Sequence, residues 1–247
     1  MRSLVDFEFW ALKNAYPKSP DLLKEGSSSA SSKLDLLGAE AVKKLEGKTV
    51  VDFGCGRGDQ TLEMARRGVA LAIGLDIRED QLEIGRRRAL AEGLDDKCLF
   101  TASMSDPVDI IVSTDAFEHF DDPAGILRIM SSLLRPGGEL LVSFGPTWYH
   151  PLGGHIFSVF PWAHLIFSEE ALMRWRSMVK KEYLTRFKDV SGGLNQMSIK
   201  RFKQLCDESD FRIEKLECVP IRKLRMVHNR LTREFTTAMV RGLLVRR

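Results

Sequence analysis

A glycine loop between an apolar strand and a helix, at residues 50–58, constrains this chain more than any other segment. Its sequence is VVDFGCGRG, in which the β-branched pair predicts the end of a buried strand, and residues 61–67 predict a helix. Alternating glycines let the backbone approach a ligand at the helix N-terminus. The spacing is G-x-G-x-G, not the G-x-G-x-x-G of dinucleotide binders, and Asp52 lies two residues before the first glycine. A carboxylate here disfavours a phosphate and favours a cationic group.

A second apolar run, at residues 69–75, ends on the acidic residue Asp76. An acid at a strand tip about twenty residues beyond a glycine loop can accept hydrogen bonds from both hydroxyls of a ribose. With both motifs in this order, residues 48–144 resemble the class I S-adenosylmethionine (SAM)-dependent methyltransferases, whose first two motifs read much like VVDFGCGRG and IGLDI. The resemblance implies SAM as the cofactor and methyl transfer as the activity.

The resemblance also implies which residues contact the cofactor. The three loop glycines would shape the wall around the methionyl part, Asp52 would orient its amine, and Asp76 would bind the ribose. Related enzymes commonly contact the adenine through an acid after the third strand, but this chain has Ala-Ser-Met at residues 102–104. A serine side chain and a methionine amide are the expected substitutes. The implied cofactor-binding set is Asp52, Gly54, Gly56, Gly58, Asp76, Ile77, Ser103 and Met104.

Short apolar runs alternate with helical segments beyond residue 48, which predicts βαβ units and a parallel α/β sheet. With the resemblance, this predicts a Rossmann-like class I methyltransferase fold: a mostly parallel, seven-stranded sheet with helices on both faces. Besides the two strands that lead into the motifs, strands are expected at residues 98–101, 109–113, 139–144 and 211–219.

The predicted domain organisation has three parts. Residues 1–33 form an N-terminal arm and linker, in which the Gly-Ser-rich run at 26–32 is typical of a flexible connection. Residues 34–247 form the methyltransferase domain, and a lid insertion occupies about 145–190. The lid is rich in aromatic residues and histidines and follows a strand at the expected cofactor edge, which favours an acceptor-binding role.

Composition limits the partners of the chain. Its 247 residues, 44% of them hydrophobic, suffice for a full α/β core. No apolar run approaches the roughly 18 residues that span a bilayer, and no signal-peptide pattern is present. The four cysteines lack C-x-x-C or framework spacing, so we expect a reducing, cytoplasmic location. A net charge of +3 does not indicate nucleic-acid binding, which leaves a small molecule as the expected partner. The oligomeric state stays open.

The loop after the fourth expected strand carries the candidate acceptor chemistry, since ligands of parallel sheets bind at the carboxyl ends of strands. One hypothesis is purely structural, with Glu118 capping a helix and His119 packed. A second makes His119 a general base, because histidine titrates near neutral pH. His155, in the lid, is the expected second acid/base group.

A third hypothesis is a metal site. The D-x-x-E-H spacing of Asp115, Glu118 and His119 resembles the E-x-x-E-H element of metal-assisted O-methyltransferases in quinone biosynthesis and of small-RNA 3′-end methyltransferases. Helical i, i+3, i+4 spacing would place the three on one face, and His155 would close the site. Such ligands suit Mg²⁺, Mn²⁺ or Zn²⁺.

The expected reaction is methylation of a small, aromatic or apolar acceptor, with O-methylation favoured and N- or C-methylation open. A non-catalytic SAM-binding scaffold and an RNA methyltransferase are the alternatives. Residues 222–247 hold eight basic residues against one acid and predict a solvated basic helix. Interleaved apolar residues also allow weak contact with a membrane surface. These are Leu231, Phe235, Val240 and Leu243.

Overall fold

Seven strands form one sheet in the part of the chain that the structure describes. The computed structural model describes residues 3–16, 32–157, 159–180, 185–189 and 194–247. The first five strands are parallel, and β7 lies antiparallel between β5 and β6 in the order β3-β2-β1-β4-β5-β7-β6. The predicted seven-stranded, mostly parallel sheet is confirmed. The strands are β1 (Thr49–Phe53), β2 (Leu71–Leu75), β3 (Cys98–Thr101), β4 (Val108–Thr114), β5 (Leu134–Phe144), β6 (Phe211–Pro220) and β7 (Thr237–Arg246).

Alternate residues of the strands feed two cores on opposite faces of the sheet, because side chains on a strand alternate in direction. Val51 and Ile111 belong to one buried cluster, whereas their neighbours Val50 and Ile110 belong to another. Helices lie on both faces of the sheet, and α1, α6 and α7 lie outside it. The α-helices of the described residues are α1 (Leu4–Ala15), α2 (Ala39–Lys43), α3 (Asp59–Arg66), α4 (Glu79–Glu92), α5 (Pro123–Leu133), α6 (Ala163–Ile166), α7 (Glu169–Lys180), α8 (Ile199–Asp207) and α9 (Arg233–Thr236).

A third hydrophobic cluster lies outside the sheet and joins the N-terminal helix to the lid. Leu12 of α1 packs in it with Phe157 and Trp175, all fully buried. The Trp175 Nε1–H donates to the Tyr16 carbonyl at 2.7 Å, fixing the end of the arm on α7. We call α1 and the described residues of 145–189 the cap.

The end of the chain differs from its predicted form. Residues expected as a basic helix instead make β7, in which Val240 and Leu244 are fully buried. Two arginines of β7 bond backbone carbonyls: the Arg241 Nε–H donates to the Leu36 carbonyl at 2.6 Å, and Arg246 donates to the Leu134 carbonyl. Val240 and Leu243 therefore belong to the sheet, and the predicted membrane contact cannot run along residues 222–247 as one helix.

The start of β5 also differs from the prediction, and two short helices precede β1. A short 3₁₀ helix, Lys33–Leu37, precedes α2 and buries Leu34 completely. β5 begins five residues before the predicted start at 139. Residues 17–31, which hold most of the expected linker, lie outside the described residues, so the arm–linker boundary stays a prediction. Among the described residues, no helix has the length and hydrophobicity needed to cross a membrane.

Candidate functional site

The glycine loop lies at the carboxyl end of β1 and leads into α3. Gly54, Gly56 and Gly58 have φ of 79°, 53° and 79°, the left-handed region that side chains other than glycine rarely adopt. A Cβ on Gly54 would meet nothing within 4 Å, so the space beside it is open. A Cβ on Gly58 would lie 2.5 Å from the Phe100 ring. Gly54 thus borders a cradle, whereas Gly58 lets α3 pack on β3.

Asp52 is buried beneath this loop. Its Oδ2 accepts a hydrogen bond from the Thr61 hydroxyl at 2.8 Å, across from β1 to α3. Burial raises the pKa of Asp52 to about 6, although the Thr61 hydrogen bond works in the opposite direction. A buried carboxylate with this cost of ionisation is suited to a cationic ligand group, which would stabilise its charge.

Asp76 follows β2 and ties the two motifs together. Its carboxylate accepts from the Gly56 N–H at 2.8 Å and from the Arg78 N–H at 3.0 Å. The Arg78 guanidinium also donates to both oxygens, at 3.2 and 3.3 Å. Burial alone would raise the pKa of Asp76, but these hydrogen bonds outweigh it and lower the pKa below its usual value. Asp76 is therefore ionised and oriented at neutral pH.

The remaining predicted cofactor residues flank this carboxylate. Ile77 is 91% exposed at the rim. Ser103 follows β3 and is held by Thr101, whose hydroxyl donates to the Ser103 carbonyl at 2.7 Å. Met104 is half-buried against the main core. All three lie on loops at the carboxyl edge of the sheet, where an adenine contact is expected.

His119 and His155, the two predicted catalytic histidines, are brought together. Their ring centroids lie 5.4 Å apart with the planes nearly perpendicular. His119 is half-buried in a 3₁₀ helix, Phe117–His119, which follows β4. Burial, more than the neighbouring His119, lowers the pKa of His155 to about 4, so His155 is neutral at physiological pH.

Glu118 does not cap a helix as one hypothesis proposed. It is 3% exposed, and its Oε1 accepts the Gly145 N–H at 3.1 Å. Burial raises the pKa of the Glu118 carboxyl, and the nearby His119 opposes that rise. Glu118 thus joins the loop after β4 to the start of the lid.

The predicted metal ligands do not share one helical face. Asp115 precedes the 3₁₀ helix with a left-handed φ of 51°, and its carboxylate faces the Lys33 ammonium at 3.5 Å. The Glu118 carboxylate instead accepts the Gly145 N–H. Within the described ranges, no group of three or more His, Cys, Asp or Glu side chains is arranged to hold a metal ion. The helical spacing assumed for this set was wrong, because the chain turns at Asp115.

The cap holds three of the five histidines and most of the lid aromatics. Burial lowers the pKa of His150 to about 4 and also lowers the pKa of His164, so both are neutral. Phe157 is fully buried among the other cap rings. The lid aromatics therefore serve largely as the core of the cap. Half-buried rings nearer the cofactor edge are Phe53 and Phe120, whose centroids lie 6.3 Å apart.

Sequence reasoning missed four residues that shape this site. Asn195 donates from Nδ2 to the Phe117 and Phe120 carbonyls at 2.6 and 2.8 Å, which fixes the 3₁₀ helix carrying His119. Gln60 accepts from the Thr114 hydroxyl at 2.6 Å. The Lys33 ammonium lies beside Asp115, and the Arg78 guanidinium lies beside Asp76. Only Arg78 and Gln60, each within two residues of a motif, had a local signal.

The described residues fit SAM. An open cradle beside Gly54, a buried carboxylate at Asp52 and an oriented carboxylate at Asp76 match an amino-acid end and a ribose. A model of the methyltransferase domain family matches residues 25–216. The chain belongs to this family and is a class I SAM-dependent methyltransferase.

Individual proteins are similar to this chain in sequence or in fold. The ubiquinone biosynthesis O-methyltransferase of Neisseria meningitidis serogroup C is 28% identical over 188 residues, which cover 67% of this chain and 75% of that protein. The Aeromonas salmonicida enzyme of the same name is 34% identical over 105 residues, but these cover only 40% of this chain and 44% of that protein. A SAM-dependent methyltransferase structure from Mesorhizobium loti has a TM-score of 0.54 at 20% identity, covering 85% of this chain and all of that one.

Proposed function

We propose that this enzyme, a methyltransferase of the small-molecule type, transfers the SAM methyl group to a hydroxyl oxygen of an apolar or aromatic acceptor. The observation that carries the proposal is the pairing of His119 with His155 at the carboxyl edge of the sheet, 5.4 Å apart between ring centroids. This pair lies where the cofactor edge meets the lid. The similarity to proteins named as ubiquinone biosynthesis O-methyltransferases supports oxygen as the acceptor atom.

Each residue has a distinct part in this proposal. SAM, when bound, supplies an electrophilic methyl group, so the chain must position a nucleophilic oxygen and take up its proton. His119 accepts that proton. Asn195 positions His119 through its hydrogen bonds to the 3₁₀ helix. His155, neutral because of burial, contacts the His119 ring and keeps a second positive charge away from it.

We infer the acceptor class from half-buried apolar side chains at the carboxyl edge of the sheet. Phe53 ends β1, Met104 lies on the loop after β3 and Phe120 directly follows His119, and all three pack against the main core. A planar or apolar molecule carrying one acidic hydroxyl, such as a phenol, matches such a lining. A polynucleotide would need a cationic groove that leads to His119, whereas the two cations at the cofactor loops, Arg78 and Lys33, pair with Asp76 and Asp115.

His119→Ala tests the base. Methyl transfer from labelled SAM to a panel of phenols and hydroxylated quinones should fall by a factor of about 10²–10⁴. SAM affinity, measured by calorimetry, should stay unchanged. His228→Ala is the matched control, since His228 bonds Thr236 in the loop between β6 and β7. Equal activity of wild type and His119→Ala across the panel would overturn the role of His119.

Chelation separates the base from metal assistance. With His119 as the base, excess chelator should leave the rate intact, and metal analysis should find no stoichiometric divalent ion. Loss of activity in chelator that is restored by Mg²⁺, Mn²⁺ or Zn²⁺ would revive the metal hypothesis. Stable SAM binding without turnover on any acceptor would favour the scaffold alternative instead.

A further inference from the structure

The connection between β6 and β7, residues 221–236, carries several large apolar side chains that are exposed to solvent. Met226 is 100% exposed and Leu231 is 91% exposed. Val227 and Phe235 are 53% and 45% exposed. Exposed apolar side chains that gather in one region, unlike those scattered singly over a surface, mark sites of interaction with proteins or membranes. We call residues 221–236 the hairpin surface.

The hairpin surface is also strongly cationic. Arg222, Lys223, Arg225 and Arg230 are exposed, and none of them forms an ion pair with another described residue. Its single acid, Glu234, is engaged elsewhere: its carboxylate accepts the Ile199 and Lys200 N–H groups at 3.1 and 2.8 Å, at the start of α8. The uncompensated positive charge therefore faces outward together with the apolar side chains.

Internal hydrogen bonds support the hairpin surface at its base and at its tip. The Ile221 N–H donates to the Thr236 carbonyl at 2.8 Å and closes the base of the loop. At its tip, the Asn229 Oδ1 accepts the Leu231 N–H at 2.9 Å. The apolar side chains are thus displayed by a loop that carries its own internal hydrogen bonds.

The position of the hairpin surface relates it to the active site. β7 runs antiparallel to β5, and Val240 pairs with Phe144 at the carboxyl end of β5. The start of β7 and the loop before it therefore lie at the same edge of the sheet as the cofactor loops. Phe235 contacts the lid directly, with its ring centroid 5.4 Å from that of Tyr149.

We propose that the hairpin surface docks the enzyme on an anionic lipid bilayer. Cations near such a surface are attracted to its phosphates, and exposed Met and Leu side chains gain free energy by entering the acyl boundary. The hairpin surface combines cations that are unpaired among the described residues with fully exposed apolar side chains. An acidic protein would need only the cations, whereas a lipid bilayer uses both, so the combination favours a bilayer. If the proposed function holds, an apolar acceptor can pass from the bilayer to His119 beneath the lid.

Vesicle co-sedimentation of the full chain, without SAM or acceptor, tests docking independently of methyl transfer. Vesicles with about one quarter phosphatidylglycerol in phosphatidylcholine should bind the protein, and pure phosphatidylcholine should bind it far more weakly. The double variant Arg225→Gln/Arg230→Gln should weaken binding about fivefold per removed charge. Met226→Ser/Leu231→Ser should weaken it about tenfold or more.

Matched controls lie on distant helices. Arg87→Gln/Arg128→Gln removes two exposed arginines of α4 and α5, and Leu90→Ser/Ile129→Ser removes two exposed apolar side chains from the same helices. Both should bind vesicles like wild type, and all four variants should bind SAM normally, which verifies their fold. Absence of vesicle binding at low salt, or equal losses in the control variants, would overturn the proposal. Tighter binding to single-stranded RNA than to vesicles would overturn it in favour of a polyanion.

Discussion

The cofactor loops and the cap meet at one edge of the sheet, but their buried polar groups differ in whether they have hydrogen-bond partners. At the cofactor loops, the two buried carboxylates already have partners: Thr61 for Asp52, and Gly56 with Arg78 for Asp76. In the cap, several buried polar atoms have no hydrogen-bond partner among the described residues. They are Thr147 Oγ1, His155 Nε2 and His164 Nδ1. The two carboxylates of the cofactor side are therefore prearranged, whereas the cap keeps these polar atoms available.

Burial acts on charges of opposite sign in these two regions. It raises the pKa of Asp52 to about 6 and lowers the pKa of His155 to about 4. Both groups are held closer to neutrality than in water. Acidification should therefore stabilise the cofactor loops and destabilise the cap.

The largest expected effect concerns the cap. The ordinary pKa of a histidine is 6.5, and that of His155 is about 4, so its contribution to stability is present above pH 6.5. It is lost as the pH falls toward 4, by about 3 kcal/mol in total. Hydrogen exchange, corrected for intrinsic rates, should show α7 losing protection between pH 6.5 and 4.5 while β1 and β2 keep theirs. His155→Gln should reduce this difference; unchanged α7 protection at pH 4.5 would contradict it.

The second prediction concerns Asp52, whose contribution to stability changes with pH in the direction opposite to that of His155. Its pKa is raised from 3.8 to about 6, so its favourable contribution is present below pH 3.8 and lost as the pH rises through 6. Asp52→Asn should stabilise the protein above pH 6 by up to about 3 kcal/mol in urea unfolding, and weaken SAM binding. Asp80→Asn, an exposed acid of α4, should change neither. A destabilised Asp52→Asn at pH 8 would show that the charge is compensated in the free protein.

Asp76→Ala should weaken SAM binding by roughly 1–3 kcal/mol, because the ribose hydroxyls would lose a charged acceptor. Calorimetry measures the change, with Asp80→Ala as the control. Since Asp76 also binds the Gly56 N–H, the unfolding free energy must be measured alongside. Unchanged SAM affinity in a folded variant would show that the ribose is bound by other residues.

Arg78→Ala should have the smallest effect. Its half-exposed guanidinium competes for the Asp76 oxygens, so removing it should tighten SAM binding by about 0.5–1 kcal/mol at low salt. The gain should shrink at high salt because exposed ion pairs are screened. Weaker binding of SAM by Arg78→Ala would instead make Arg78 a direct cofactor contact.

Local patterns were enough to predict the cofactor half of the fold. β1 to β4 lie close to their predicted positions, since each is a short apolar run next to a turn. β7 escaped prediction because its arginines suggested a solvated helix. In the sheet, Arg241 binds the Leu36 carbonyl, some two hundred residues away in the chain, and such long-range pairing leaves no local signal.

The site divides in the same way. Asp52 and Asp76 were predictable because each terminates a strand inside a recognisable motif. The positions of Lys33 against Asp115, and of Asn195 beneath His119, depend on tertiary packing alone. The metal hypothesis depended on a helical spacing, and the left-handed turn at Asp115 was not encoded by any glycine or proline at that position.

The insertion of β7 between β5 and β6 has a consequence for synthesis on the ribosome. The parallel half of the sheet can form early, but the gap beside β5 closes only after residues 237–246 have emerged. Until then β5 presents an open edge and β6 has no strand partner, the condition in which nascent chains pair wrongly with one another. Completion of the sheet is therefore delayed until β7 has been synthesised. We expect the yield of folded protein to depend on chaperone supply more strongly than the thermodynamic stability of the protein suggests.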